Sequence, residues 1–204
     1  MRAKALAVLA AGLPLLLTAC GGSSSSSSSA SSSAPAASST PNTVASSGSA
    51  STKAGASFAV GQTATVRFAP LSAISKVTST LKVTVESLQQ GTLADFKGIQ
   101  LNASEKAGTP DYVKVTITNL GPGKVKTADA GADIQGVDST GNTQQSVTFI
   151  GDFPRCNDVS SEAPLPAGQT MHTCLTFLVP GGIKKVGYTG TEDYIGSPVT
   201  WTAK

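Results

Sequence analysis

Two stretches of strict alternation set the strongest limit on how this chain folds. Leu81, Val83 and Val85 alternate with Lys82, Thr84 and Glu86, and Val113, Val115 and Ile117 alternate with Lys114, Thr116 and Thr118. A period of two sends one set of side chains to one face and the next set to the other, so each stretch is a strand with one buried and one wet side. Further runs of β-type residues lie at 64–68, 96–101, 134–137, 146–150, 170–179, 185–189 and 199–203. Turn-forming clusters separate them: Asn119-Leu120-Gly121-Pro122-Gly123, Asp138-Ser139-Thr140-Gly141-Asn142, Pro166-Ala167-Gly168 and Pro180-Gly181-Gly182. No long segment carries an apolar stripe of helical period. Short strands at this spacing predict an all-β fold, an immunoglobulin-like antiparallel β-sandwich over residues 55–204.

The first 54 residues have a different character. Arg2 and Lys4 precede an apolar run from residue 5 to 19, interrupted only by Gly12, Pro14 and Thr18. That is the build of a secretory signal peptide, too short to span a hydrocarbon core about 30 Å thick comfortably. From residue 23 to 54 half the residues are serine, with Lys53 the one charge. Such a stretch buries too little apolar surface to offset its conformational entropy, so residues 20–54 read as a disordered tether with a mean reach on the order of 30 Å.

At its end the leader reads Leu17-Thr18-Ala19-Cys20. This resembles the lipobox of bacterial lipoproteins, in which a small residue precedes an obligatory cysteine. The resemblance implies that residues 1–19 are removed and that the Cys20 thiol receives a diacylglycerol, with fatty chains such as palmitate. It further implies a place at the cell membrane, on its extracytoplasmic face, reached through the lipid anchor. Loss of the leader removes two basic residues and leaves 13 Lys+Arg against 12 Asp+Glu. A chain so close to neutral has no electrostatic footprint for nucleic acid, and attachment to a bilayer falls to the lipid.

Export also explains the cysteines. With Cys20 assigned to lipid, Cys156 and Cys174 remain as an even pair in an oxidising compartment, and a disulfide is the economical reading. Closing the loop of about 17 residues between them would contribute roughly 3 kcal/mol. The bond would tie the 153–161 loop to the strands near the C-terminus. Trp201, Phe149, Phe177 and Tyr188 read as core residues, because large rings at strand spacing generally fill interiors.

A second resemblance covers about residues 58–190. Gly61-Gln62, the strand from Tyr112 to Asn119, the Asp138 to Asn142 turn, Leu165-Pro166-Ala167-Gly168-Gln169 and the run from Leu175 to Pro180 are similar to a family of immunoglobulin-like domains. These occur in secreted proteins and lipoproteins of Gram-positive bacteria, actinobacteria especially, and small secreted mycobacterial proteins share the fold. The resemblance implies a fold and an extracytoplasmic place, and it brings no catalytic residues. Its motifs answer structural needs: Asn119 can turn its amide onto the backbone of a tight loop, and Gly141 supplies a positive φ.

Parts for catalysis are scarce. His172 is the one histidine, no G-x-S-x-G elbow is present, and most serines stand in the tether. Met171 and His172 are too few to make a soft-metal site. Asp129, Asp133 and Asp138 have no EF-hand spacing, Glu192-Asp193 beside Tyr194 reads as an exposed loop, and no phosphate-cradling or dinucleotide motif appears. The expectation is a non-enzymatic domain with no catalytic residues, cofactor or metal, which binds an envelope protein, a cell-wall polymer or a host molecule. The alternative is a carrier of a small apolar ligand or lipid, held between the sheets or under the disulfide loop.

Overall fold

The computed structural model describes residues 50–70, 76, 78–123, 125–149, 153–157 and 162–203. The leader, Cys20 and most of the serine-rich stretch lie outside the described residues. Among the described residues nine strands run in the order β1 (Ser57–Ala59), β2 (Thr63–Phe68), β3 (Ser79–Gln90), β4 (Thr109–Gly121), β5 (Ile134–Val137), β6 (Thr143–Gln144), β7 (Thr170–Val179), β8 (Lys185–Tyr188) and β9 (Val199–Thr202). They form a four-stranded sheet, β2-β3-β4-β7, and a five-stranded sheet, β1-β9-β8-β5-β6. Every pairing is antiparallel except β1 on β9, which is parallel. The expected β-sandwich is therefore the fold.

Its core follows from the alternation. Leu81, Val83 and Val85 of β3 and Val113, Val115 and Ile117 of β4 face Val186, Tyr188, Val199 and Trp201 of the other sheet, all fully or almost fully buried. Trp201, Tyr188 and Phe177 are each 0% exposed. A ring with a polar tip is stable there because the tip finds a partner: Trp201 Nε1 donates to the Gln62 carbonyl at 2.9 Å, and Tyr188 Oη to the Arg67 carbonyl at 2.8 Å. Among the described residues these side chains form one packed core cluster. At Gly136 even a methyl group would come within 2.5 Å of Ile183 and 3.0 Å of Phe177. An apolar ligand between the sheets, one form of the carrier reading, finds no room beside Gly136.

The turns behave as their composition predicts. Asn119 is fully buried, and its Oδ1 accepts from Ser79 Oγ at 2.6 Å and from the Gly121 amide at 2.8 Å while its Nδ2 donates to the Leu165 carbonyl at 2.8 Å. One side chain thus joins the start of β3, the end of β4 and the turn before β7. In the β5–β6 hairpin, the Thr140 hydroxyl first, then the Asn142 and Thr140 amides, hold the Asp138 carboxyl down at about 2. Gly141 has φ of 90°, the left-handed region that glycine enters without strain.

Four expectations differ. Residues 96–101 form no strand; they follow a single 3-10 turn, Leu93–Phe96, and run irregularly to the short helix α1 (Ala103–Lys106). In 146–150 the described residues make one isolated bridge, Val147 to Thr176. The loop containing Glu192 and Asp193 is a helical turn, α3 (Glu192–Ile195), that buries Tyr194 completely. Thr52, within the stretch read as tether, donates its amide to the Thr65 carbonyl and accepts from Tyr194 Oη through its own carbonyl.

Candidate functional site

The four-stranded sheet has an outer face whose two halves differ. On one half, Thr63, Thr84, Thr116 and His172 stand in register across the four strands, and Thr65, Lys82, Thr118 and Thr170 form the next row. These are the polar partners of the core residues. Neighbouring hydroxyls bond one another, Thr63 to Thr84 at 2.7 Å and Thr118 to Thr170 at 2.8 Å. On the other half the same face presents Tyr112, Cys174, Thr176 and Leu178, mostly buried. A bulge at Glu86 and Ser87 in β3 marks the change, as expected where an extra residue bends a strand.

What buries that half is a third, partial layer. The β3–β4 connection contributes Phe96, Ile99 and Leu101, and the segment after β6 contributes Phe149, Phe153 and Cys156. Phe96 and Phe153 stack at 4.9 Å between centroids, with Phe149 5.0 Å from Phe153 and Tyr112 6.0 Å from it. Cys156 is bonded to Cys174 of β7, their Cα atoms 5.2 Å apart, which is the expected disulfide. It pins the layer to the sheet beside Tyr112. A polar clasp closes the rim: Tyr112 Oη donates to Asp95 Oδ2 at 3.0 Å, and the Thr92 amide donates to the same oxygen at 3.0 Å. The Thr92 amide chiefly, then the Tyr112 hydroxyl, lower the Asp95 carboxyl, while burial and the Asp95 charge push the Tyr112 hydroxyl up. Arg155 lies 5.7 Å over the Tyr112 ring.

Along the flank of this layer runs a cleft of about 430 Å³. Ile99, Leu101 and Phe149 form its apolar wall, and Gln100, Glu105 and Thr148 its polar edge. Glu105 is fixed, since its carboxylate accepts from the Asn102 amide at 2.7 Å in the cap of α1. The cleft offers hydrocarbon and ring surface with a few oriented polar groups, which is the chemistry of a binding site. Of the residues singled out in the sequence, it brings together Phe149 and the layer held by Cys156 and Cys174. Ile99 and Leu101 carried a signal, their apolar character, which the strand reading absorbed.

His172 stands apart on the bare half. Its Nδ1 lies 2.8 Å from Thr116 Oγ1 and 3.9 Å from Glu86 Oε1, and Thr116 Oγ1 donates to Glu86. With the hydroxyl proton committed to the carboxylate, the hydroxyl can only accept from Nδ1–H. This places the hydroxyl between acid and imidazole, whereas a nucleophile–base relay needs the imidazole in the middle. Among the described residues no three His, Cys, Asp or Glu side chains converge as metal ligands.

No family model matches the chain, and no curated protein matches it. Among solved structures it is similar to MPT63, a secreted protein from Mycobacterium tuberculosis, at 16% identity and a TM-score of 0.48, over 72% of this chain and 95% of that one. It is also similar to the yjhA protein from Bacillus subtilis, at 12% identity and a TM-score of 0.40, over 63% of this chain and 95% of that one. Likeness at this level decides nothing about function, and the sandwich stands on the strand pairing described above.

Proposed function

We propose that the chain is an extracytoplasmic protein anchored by lipid on Cys20, whose sandwich binds a partner and performs no chemistry of its own. The observation that supports this most is the cleft beside Phe149: an apolar wall on a layer braced by a disulfide and by stacked rings, offered at the surface of a rigid sheet. Rigid support lowers the ordering cost of association, which is how a modest surface gains affinity. The lipobox and serine-rich tether fit the same role, displaying the domain away from a bilayer toward an envelope protein, a cell-wall polymer or a host molecule. Replacing Cys20 by Ala is expected to move the protein from the membrane fraction to the soluble one after detergent-free lysis. Replacing Thr148, exposed at the edge of the cleft, by Trp is expected to abolish capture of the native envelope partner while leaving the melting temperature within a few degrees. Retention in the membrane by the first variant, or undiminished capture by the second, removes the corresponding half of the proposal.

A second reading is favoured by the size of the cleft. At about 430 Å³, walled by Ile99, Leu101 and Phe149, it falls in the range of small-molecule sites, so the carrier role is retained for this place alone. Native mass spectrometry of protein purified from its own envelope separates the two: a co-purified apolar molecule, lost on Thr148→Trp, identifies a carrier.

A further inference from the structure

Just before β5, in the five-stranded sheet, a carboxyl group is buried with one of its oxygens unpartnered. Asp133 follows the short helix α2 (Thr127–Ala132) and immediately precedes β5. It is 7% exposed, and its Oδ2 meets no hydrogen-bond donor. Gly190 lies directly over it: a Cβ there would stand 2.3 Å from Asp133 Oδ2 and 2.1 Å from Tyr188 Oη. Tyr188 gives its hydroxyl proton to the Arg67 carbonyl instead. On that side the Arg67 guanidinium pairs through Nη2 with Asp193 at 2.5 Å and lies over the Tyr194 ring, and its Nε, like Thr191 Oγ1, is buried without a partner of its own. A buried carboxyl with neither a donor nor a counter-ion is costly to a fold.

The same residue lines a pocket of about 270 Å³ with Gln135, Thr143, Gln145, Thr189 and Ile195. Ile195 is 55% exposed and gives the pocket its aliphatic surface. An anion would meet Asp133 and the neighbouring Asp129. A neutral apolar ligand would leave the carboxyl as it is, and a hard metal ion would want more carboxylates than the described residues bring together. A primary ammonium fits: three N–H donors, a charge for Asp133, two further acceptors among the glutamine and threonine oxygens, and an aliphatic stem for Ile195.

We propose that this pocket binds a small molecule through a primary ammonium on a short alkyl stem, with Asp133 as its counter-ion. Burial first, and then the charge of Asp129, raise the Asp133 carboxyl from 3.8 to about 8. The empty site therefore carries a proton at neutral pH. Binding of the ammonium form replaces that proton with the ligand's charge and releases the proton to the buffer. Tyr188, whose own hydroxyl is pushed up by burial and by Asp133, stays protonated throughout.

The test is isothermal titration of the full chain, in detergent, with butylammonium chloride and separately with butan-1-ol at pH 7.5. Saturable binding of butylammonium, absent for the alcohol, is expected. The measured heat should change with the buffer's ionisation enthalpy, as proton release requires. Asp133→Asn should weaken binding at least tenfold, and so should Thr143→Trp, which blocks the pocket from the exposed strand β6 without touching the carboxyl. Asp133→Asn also has a signature independent of any ligand. A raised carboxyl makes the fold most stable below about pH 4 and less so as pH rises toward about 8, and the variant should lack that decline. No saturable binding, equal binding of the alcohol, or full binding by either variant overturns the proposal.

Discussion

The two halves of the outer face of the four-stranded sheet share β3, β4 and β7 on either side of a bulge in β3, yet one is bare and the other roofed. Where the strands carry Thr63, Thr84, Thr116 and His172, the face is wet and its hydroxyls bond one another. Where they carry Tyr112, Cys174 and Leu178, loops supply Phe96, Phe149 and Phe153 and a disulfide to hold them. A sandwich needs only one face of each sheet covered, so the roof is an addition to the fold. The cleft lies along the added part. Loops positioned by a rigid scaffold are where proteins commonly place binding, and the difference between the halves teaches which surface of this sandwich is specialised.

The largest effect is expected from removing a ring of the roof. Phe153→Ala should cost about 3–5 kcal/mol if the layer is part of the cooperative fold. Amide exchange decides the matter: simultaneous loss of protection in β3, β4 and the 91–108 connection makes roof and sandwich one unit, whereas loss confined to the connection makes the roof a separate, weaker one. Next comes the covalent brace. Replacing Cys156 and Cys174 together by Ala should lower stability by about 3 kcal/mol, from the freedom returned to the unfolded loop. A melting temperature unchanged by reduction would show that the aromatic contacts suffice.

Acid should distinguish the halves more gently. The Asp95 carboxyl is held below its usual range by the Thr92 amide and the Tyr112 hydroxyl. Its contribution is therefore present above about pH 4 and lost as the group is protonated below that. Exchange in the 91–108 connection, corrected for the intrinsic rate, should quicken from pH 5 to pH 3, and Asp95→Asn should be open at both. The smallest effect belongs to the bare half, where Thr116→Ala should stay within about 0.5 kcal/mol. A larger loss would mean that the hydroxyl rows carry more of the stability than solvent-facing residues normally do.

How far the sequence could be read follows the same division. The bare half is legible because its polar residues alternate with core residues over several turns of the pleat, and β5 and β7 appear with the bounds expected. The roof is not. Residues 96–101 and 146–150 have the apolar, β-branched and aromatic character of strands, but that character records burial, and here the burial is against rings with no ladder of hydrogen bonds. Tyr112 sits where the alternation predicts a wet residue, and nothing local says that Phe153, forty residues on, will cover it. The disulfide was legible from parity and compartment. In the sequence Asp133 is one of three acids close together without EF-hand spacing; what sets it apart is Gly190 lying over it and the absence of a donor to its Oδ2, both products of tertiary structure.

The parallel pairing of β1 with β9 sets how this domain would carry tension. A pull on the chain ahead of Ser57 against one beyond Thr202 acts at opposite ends of two strands that run the same way, so the hydrogen bonds between Ser57–Ala59 and Thr200–Thr202 are loaded together in shear instead of peeling one by one. Trp201, stacked on Phe58 at 5.9 Å, would have to slide for that clamp to slip. Where the leading segment is tethered and a partner holds the other end, this short edge pair is the mechanical fuse of the molecule.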